Sequence, residues 1–339
     1  MKISRLSLLA LALAGLTSAH AGKTLDTIKQ RGQISVGISS GVPGFSAADS
    51  KGQWTGLDVD VGKAIAAALL GDANKVKWVP LASQQRFTAL QSGEVDVLSR
   101  NTSVTLTRDA SMGLAFTAVV FYDGQGFMVP AKTKVQSAKQ LKGATVCVQA
   151  GTTSEKNMTD FSRIHKLNLK PVVFDKFDAA NAAYFAGRCQ AYTTDASGLA
   201  SVRAKEAKDA KAHTILPDLI SKEPLGPLVR RGDDEWLSIV RWVVYGLIEA
   251  EENGITQANV DKLKAETTDP TIGRLLGKTE DTGKLLGLDK DWLVRAIKAV
   301  GNYGEIYERN VGEKTPVGLA RGKNQLWTEG GLMYALPVR

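Results

Sequence analysis

The sequence predicts an α/β fold made of two βαβ blocks, the second inserted into the first. Three observations carry this. Short β-rich runs alternate with helical stretches from Gly32 to Leu98, and the same alternation restarts at Ala144. An apolar crossing stands on each side of the second block, at 121–129 and at 226–230. Two crossings are what an inserted block requires.

In chain order, 34–38 reads as a strand and 58–70 as a helix with Val61, Ile65 and Leu69 on one face. A second strand at 76–79, a helix at 84–92 and a third strand at 95–98 complete the first block, a pattern that implies a parallel sheet. In the second block 144–148 is a strand, and Thr152-Thr153-Ser154-Glu155 is a capping box that opens a helix. Residues 171–174, 179–186 and 189–193 follow as strand, helix and strand. After Asp234 the chain reads as mostly helical to about Glu308, and a glycine-rich tail of low periodicity begins at Gly312.

The first 21 residues stand apart from this fold. Lys2 and Arg5 precede an apolar run, 8–16, that leads to Ala19-His20-Ala21, the pattern of a secretory signal peptide cleaved after Ala21. The run is too short for a permanent membrane anchor, and no later segment is long and apolar enough to span. The mature chain of about 318 residues has the length of two domains. Its formal charge falls from +8 to +6 when Lys2 and Arg5 leave with the leader. The basic residues are spread out without interleaved aromatics, so the charge reads as solubility and attraction for anions, with no nucleic-acid footprint.

Cys147 and Cys189 are the only cysteines. An exported chain with two cysteines usually pairs them; the alternative is two free buried thiols. The bridge would close a loop of about 43 residues and contribute about 4 kcal/mol in the chain-entropy account. With no cysteine near the leader, lipid anchoring is excluded, and the expected location is a Gram-negative periplasm.

The mature chain keeps two histidines, His165 and His213, both far from the cysteines in sequence. No zinc ligand set, Ser-His-Asp arrangement, Walker-type loop or GxGxxG after a first strand is visible, so no metal or cofactor is expected. Binding groups are present instead. In an open α/β sheet, ligands sit beyond the C-terminal ends of the strands. Three segments fall there: 99–108, 149–153 and 193–195. The first, within SRNTSVTLTRD, supplies hydroxyls and Arg108, whose planar fork suits a carboxylate. The second offers free amides at a helix start. The third supplies Asp195, a partner for an ammonium group. Cation and amides facing a carboxylate are what a zwitterionic α-amino acid demands.

The runs GLDVDV (56–61), ALQSGEVD (89–96), TLTR (105–108) and LKG to GTT (141–153) resemble the polar amino acid-binding proteins of ABC importers. The resemblance covers roughly residues 25–250. The extension 251–339, with CVQAGTT and AYTTD, is similar to the subgroup serving general L-amino acid or glutamate/glutamine/aspartate/asparagine importers. It implies a two-lobed periplasmic binding protein fold of type II, with two hinge crossings and a helical C-terminal extension from about 251. Lobe 1 would comprise 22–122 and 226–339, and lobe 2 would comprise 123–225. The implied function is capture of L-amino acids by cleft closure and delivery to membrane permease subunits, by a monomer that is not an enzyme.

The same resemblance implies the site. Arg108 clamps the α-carboxylate, helped by Thr153 from the other lobe. Ser103 and Asp195 hold the α-ammonium, and Asn101 faces the ligand. Arg86 contacts a side-chain carboxylate, with Ser83 beside it. Arg100 either lines the pocket or points to solvent. Two departures argue against cationic ligands and narrow specificity: Val42 stands where relatives often carry an aromatic lid, and Ser39 where histidine- and glutamine-type members carry an acidic selector. Two other readings stay open at this point, an enzyme of dehydratase type on the same scaffold and a ligand-binding sensor.

Overall fold

The computed structural model describes residues 24–339, so the predicted signal peptide lies outside the described residues. The chain opens with α1 (Thr24–Arg31), β1 (Ile34–Ile38), a hairpin of β2 (Ala47–Ala48) and β3 (Trp54–Thr55), and α2 (Leu57–Leu70). β4 (Val76–Pro80), α3 (Arg86–Gln91), β5 (Val97–Leu98), α4 (Leu106–Ser111) and β6 (Leu114–Phe116) follow. The chain leaves through β7 (Phe121–Asp123) to β8 (Gln125–Pro130), β9 (Thr145–Gln149), α5 (Thr153–Ile164) and β10 (Lys170–Phe174). Next come α6 (Phe177–Phe185), β11 (Ala191–Asp195), α7 (Ala196–Glu206) and β12 (His213–Ile215). It returns through β13 (Glu223–Leu225) to β14 (Leu228–Arg230). Five helices complete it: α8 (Asp234–Glu252), α9 (Val260–Glu266), α10 (Pro270–Leu275), α11 (Trp292–Val300) and α12 (Tyr303–Asn310).

Two five-stranded sheets result, ordered β4-β1-β5-β14-β6 and β10-β9-β11-β8-β12. Within each block the strands are parallel, as the βαβ pattern predicts: β1 pairs with β4 and β5, and β9 with β10 and β11. The sheets as wholes are mixed, however. One strand in each is reversed: β14 lies antiparallel between β5 and β6 in the first sheet, and β8 antiparallel between β11 and β12 in the second. The reason is geometric: β8 and β14 enter their sheets from the hinge, which lies at the C-terminal ends of the parallel strands.

The hinge itself is the antiparallel ribbon of β7 and β13, with Phe121 opposite Leu225, Tyr122 opposite Pro224 and Asp123 opposite Glu223. The second crossing is therefore at 223–225, ahead of the 226–230 expected, and β14 already belongs to the first sheet. Pro224 hid it: a proline lowers strand propensity, yet a two-stranded ribbon has an open edge where its missing N–H is harmless.

Other local differences have similarly plain causes. Thr152 caps α5, its hydroxyl accepting from the Glu155 amide at 3.3 Å, but the Glu155 carboxylate reaches back to the Gly151 amide at 3.2 Å and leaves the box unclosed. The last strand of the second block is 191–195, two residues later than read, because Cys189 and Gln190 belong to the turn before it. Helix α2 is buried on nearly every side, well beyond the Val61/Ile65/Leu69 stripe, since α11 from the extension lies across its outer face. It starts at Gly56, with φ +131°, where a Cβ would stand 2.1 Å from the Phe45 carbonyl oxygen. No other residue fits there.

Cys147 and Cys189 are joined, with Cα atoms 5.6 Å apart. Both sulfurs are buried beneath the second sheet, tying β9 to the turn that leads into β11. Among the described residues no helix is long and apolar enough to cross a membrane.

Candidate functional site

A cavity lies between the C-terminal ends of the two sheets, and all eight predicted residues line it: Ser83, Arg86, Arg100, Asn101, Ser103, Arg108, Thr153 and Asp195. The first six hang from the ends of β4 and β5 and the segments that follow; Thr153 and Asp195 come from the ends of β9 and β11. Strand ends supply them because each parallel strand there hands over to a loop or helix start, where backbone and side chains are free of the ladder.

Three arginines converge, each less than a tenth exposed. Arg108 is fixed by a bond from its Nη1 to the Ser103 carbonyl at 2.9 Å, which leaves Nε and Nη2 free. Arg100 turns inward, its Nε donating to the Leu81 carbonyl at 3.0 Å and its Nη2 to Ser83 Oγ at 3.1 Å. Arg86 makes only a long contact, 3.5 Å, from Nη2 to the Gly151 carbonyl across the cleft, and its buried Nε has no partner. The ring of Phe87 lies under both Arg86 and Arg108, at 4.7 and 5.3 Å from the guanidinium carbons. Burial pushes all three pKa values down: Arg86 far down, with Arg100 and Arg108 adding repulsion, and Arg100 to about 10. None of the three forms an ion pair among the described residues. Among the described residues these three cations share the cavity lining with one carboxylate, Asp195, so positive charge is in excess there.

Asp58 offsets part of this excess from below. It is 2% exposed, its Oδ2 accepts the Asn101 amide at 2.9 Å, and burial raises its pKa to about 7 against the pull of that bond and of Arg100. Asn101 needs the support because its φ is +24°, a left-handed value that asparagine tolerates better than most residues. Its side-chain oxygen is already taken by Ser39 Oγ at 2.7 Å.

From the second lobe, α5 points its N-terminus into the cavity. The Thr153 and Ser154 amides have no acceptor within the helix, so the start of α5 is a natural anion site. Asp195 ends β11 and is 8% exposed; among the described residues its carboxylate accepts no hydrogen bond. Burial raises its pKa well above the usual carboxylate range, and Asp123 and Glu223 push it the same way. It is a lone acceptor facing lone donors.

Residues 34–262 match the family of bacterial extracellular solute-binding proteins, family 3. The chain is 53% identical over 332 residues to the general L-amino acid-binding periplasmic protein AapJ of Rhizobium johnstonii, with 97% of each chain covered. It is 54% identical over 329 residues, again 97% of each, to the glutamate/glutamine/aspartate/asparagine-binding protein BztA of Rhodobacter capsulatus. The chain belongs to solute-binding protein family 3. A solved structure, an ABC transporter / periplasmic binding protein from Brucella ovis with glutathione bound, superposes with a TM-score of 0.92. It is 52% identical, and the match covers 94% of this chain and all of that one.

This family 3 cleft also holds residues that sequence reasoning missed. Phe177, the first residue of α6, lines the cavity opposite Val42 and supplies an aromatic wall from the other lobe. It follows the end of β10, a fourth strand end that the pattern already showed and that points at the same cleft. Ser154 lines the cavity as well, one residue into α5. Phe87 had only its position beside Arg86 to mark it. Asp58 and Glu223 carried no local signal, because the cleft residues they hold, Asn101 and Thr153, lie 43 and 70 residues away in sequence.

Proposed function

We propose that this protein captures L-amino acids in the periplasm and hands them to the permease subunits of an ABC importer. It does so as an exported monomer whose lobes, 22–122 with 226–339 and 123–225, close over the ligand. One observation carries the reading: Arg86, Arg100 and Arg108 meet in a buried cavity whose lining, among the described residues, holds one carboxylate, Asp195, which accepts no hydrogen bond. A zwitterion with one further acceptor group fits that charge pattern.

The α-carboxylate lies against Arg108 and the α5 amides, where bidentate pairing and the helix terminus act together. The α-ammonium sits at Asp195 and Ser103. A side-chain carboxylate or amide reaches Arg86 and Arg100, and this favours glutamate, aspartate, glutamine and asparagine over cationic ligands. The similarity to AapJ and BztA supports the same classes. The glutathione of the Brucella ovis relative adds a ligand whose γ-glutamyl end carries a free α-amino acid head. Closure without ligand is disfavoured, because it buries charges whose pKa values are all displaced toward the neutral forms.

Calorimetry of the purified mature protein against a ligand panel tests this. Stoichiometric binding of acidic amino acids and their amides is expected, with glutathione included in the panel. Tightest binding of lysine or of a sugar would overturn the reading, as would turnover of a bound amino acid.

A further inference from the structure

Glu223 stands on β13, the second hinge strand, and is 1% exposed. A carboxylate that deep must have its lone pairs answered. Asn157 Nδ2 and Ser221 Oγ donate to Oε1 at 2.8 and 2.6 Å, and Thr153 Oγ1 donates to Oε2 at 2.9 Å. Among the described residues no lysine or arginine forms an ion pair with it.

A hydroxyl has a single hydrogen. Thr153 gives its hydrogen to Glu223, so toward the cavity it offers only lone pairs. Ser103 Oγ lies 3.4 Å from Thr153 Oγ1, across the cleft in the other lobe. With Thr153 as acceptor, Ser103 becomes the donor of that contact, and its lone pairs also turn to the cavity. The relay runs from Ser103 through Thr153 to Glu223, linking first lobe, second lobe and hinge.

We propose that Glu223 is a positioning residue for the ligand ammonium. By holding the hydrogen of Thr153, and through it that of Ser103, it confronts the ligand with hydroxyl oxygens that can only accept. An ammonium placed there finds acceptors beside Asp195; a carboxylate finds none of the hydroxyl donors it needs. The relay thus sets which way round an amino acid lies. The inference rests on the amino acid reading above and adds to it a residue that does not line the cavity.

The test is a double-substitution cycle read by calorimetry with L-glutamate. In Glu223→Gln the amide oxygen stays with the two donors Asn157 and Ser221, so the amide nitrogen faces Thr153 and turns its hydroxyl hydrogen into the cavity. Affinity is expected to fall about tenfold or more, while Glu223→Asp, which keeps the charge, binds more tightly than Glu223→Gln. Combining Glu223→Gln with Thr153→Val should cost no more than about threefold beyond Thr153→Val alone, because the effect travels through that hydroxyl. Losses that simply add, or a Glu223→Gln protein that binds like the unmodified one, overturn the relay. Should Glu223→Gln fail to fold by circular dichroism, the cycle is run with Glu223→Asp, and a loss in that variant that persists undiminished on the Thr153→Val background overturns the relay. An unmodified protein that binds no amino acid overturns the functional reading itself, a result distinct from any outcome of the cycle.

Discussion

Gly151 lies against Gln84 across the cleft, so closely that a Cβ on Gly151 would stand 2.9 Å from Cγ of Gln84. The two residues sit on opposite lobes, and Gly151 also has φ +71°, a conformation that side chains other than glycine's rarely adopt. Beside them, Ser83 Oγ donates to Gln149 Oε1 at 3.1 Å, and Arg86 reaches the Gly151 carbonyl. This is the seam along which the closed lobes touch.

Gly151→Ala should therefore strain the loop through its φ of +71° and, in addition, impair closure. The added methyl meets Gln84 only when the lobes are shut, so ligand affinity is expected to drop about tenfold or more, equivalent to about 1.4 kcal/mol. Small-angle scattering with saturating ligand should show incomplete compaction. A variant that closes fully with unchanged affinity would mean the seam opens without consequence.

Arg108→Ala and Arg86→Ala should separate by ligand. Removing Arg108 strands the α-carboxylate of every amino acid, at a cost of about 2–5 kcal/mol, or roughly 30- to several-thousand-fold in affinity. Removing Arg86, whose buried Nε has no protein partner among the described residues, should hurt glutamate and aspartate far more than alanine or leucine. Equal losses for all ligands with Arg86→Ala would move that side chain away from the ligand's side-chain end.

Asp58→Asn makes the pH dependence of folding readable. The folded-state pKa of Asp58, about 7, lies above its ordinary value of 3.8, so the folded protein holds this proton more tightly than the unfolded chain does. The resulting stability is present in full below pH 3.8 and is lost as pH rises through about 7. Asparagine behaves as a permanently neutral side chain. Relative to the unmodified protein, the variant should gain about 2–3 kcal/mol of stability between pH 5 and pH 8. Thermal melts at both pH values check this, and a difference that shrinks with rising pH would reverse the sign.

Asn324 offers a test of the C-terminal tail. Its side-chain oxygen accepts the Tyr122 amide at 2.7 Å and its nitrogen donates to the Tyr122 carbonyl at 3.2 Å, so one side chain pairs with the free edge of hinge strand β7. Arg321 anchors the same segment by two bonds to Glu251, at 2.9 and 3.2 Å. Asn324→Ala should cost about 1–3 kcal/mol by leaving those backbone groups unanswered. Amide exchange at 121–125 should quicken, and unchanged exchange there would show that the tail does not brace the hinge.

Reduction should weaken the second lobe. Replacing Cys147 and Cys189 together by alanine is expected to lower stability by up to about 4 kcal/mol, since the bridge spans a sequence separation of 42. Chemical denaturation of the variant and the oxidised protein measures it. Two titratable thiols in the unfolded, unreduced protein would contradict the bridge.

The alternation of β-rich and helical runs, the order of the two blocks and the strand-end segments were all determined by the sequence alone. Periodicity and turn chemistry are local, and a residue such as Arg108 or Asp195 announces its place by following a buried strand. The tertiary structure alone decided the rest. It turned Arg100 inward, brought Phe177 and Val42 to one cavity, moved the second crossing to Glu223–Leu225 and laid α11 over α2. Asp58 beneath Asn101 and Glu223 behind Thr153 belong to this second group. Their physical cause is the same: a buried charge or a hydroxyl hydrogen is directed by whatever partner folding brings within 3 Å, and neither partner is near in the chain.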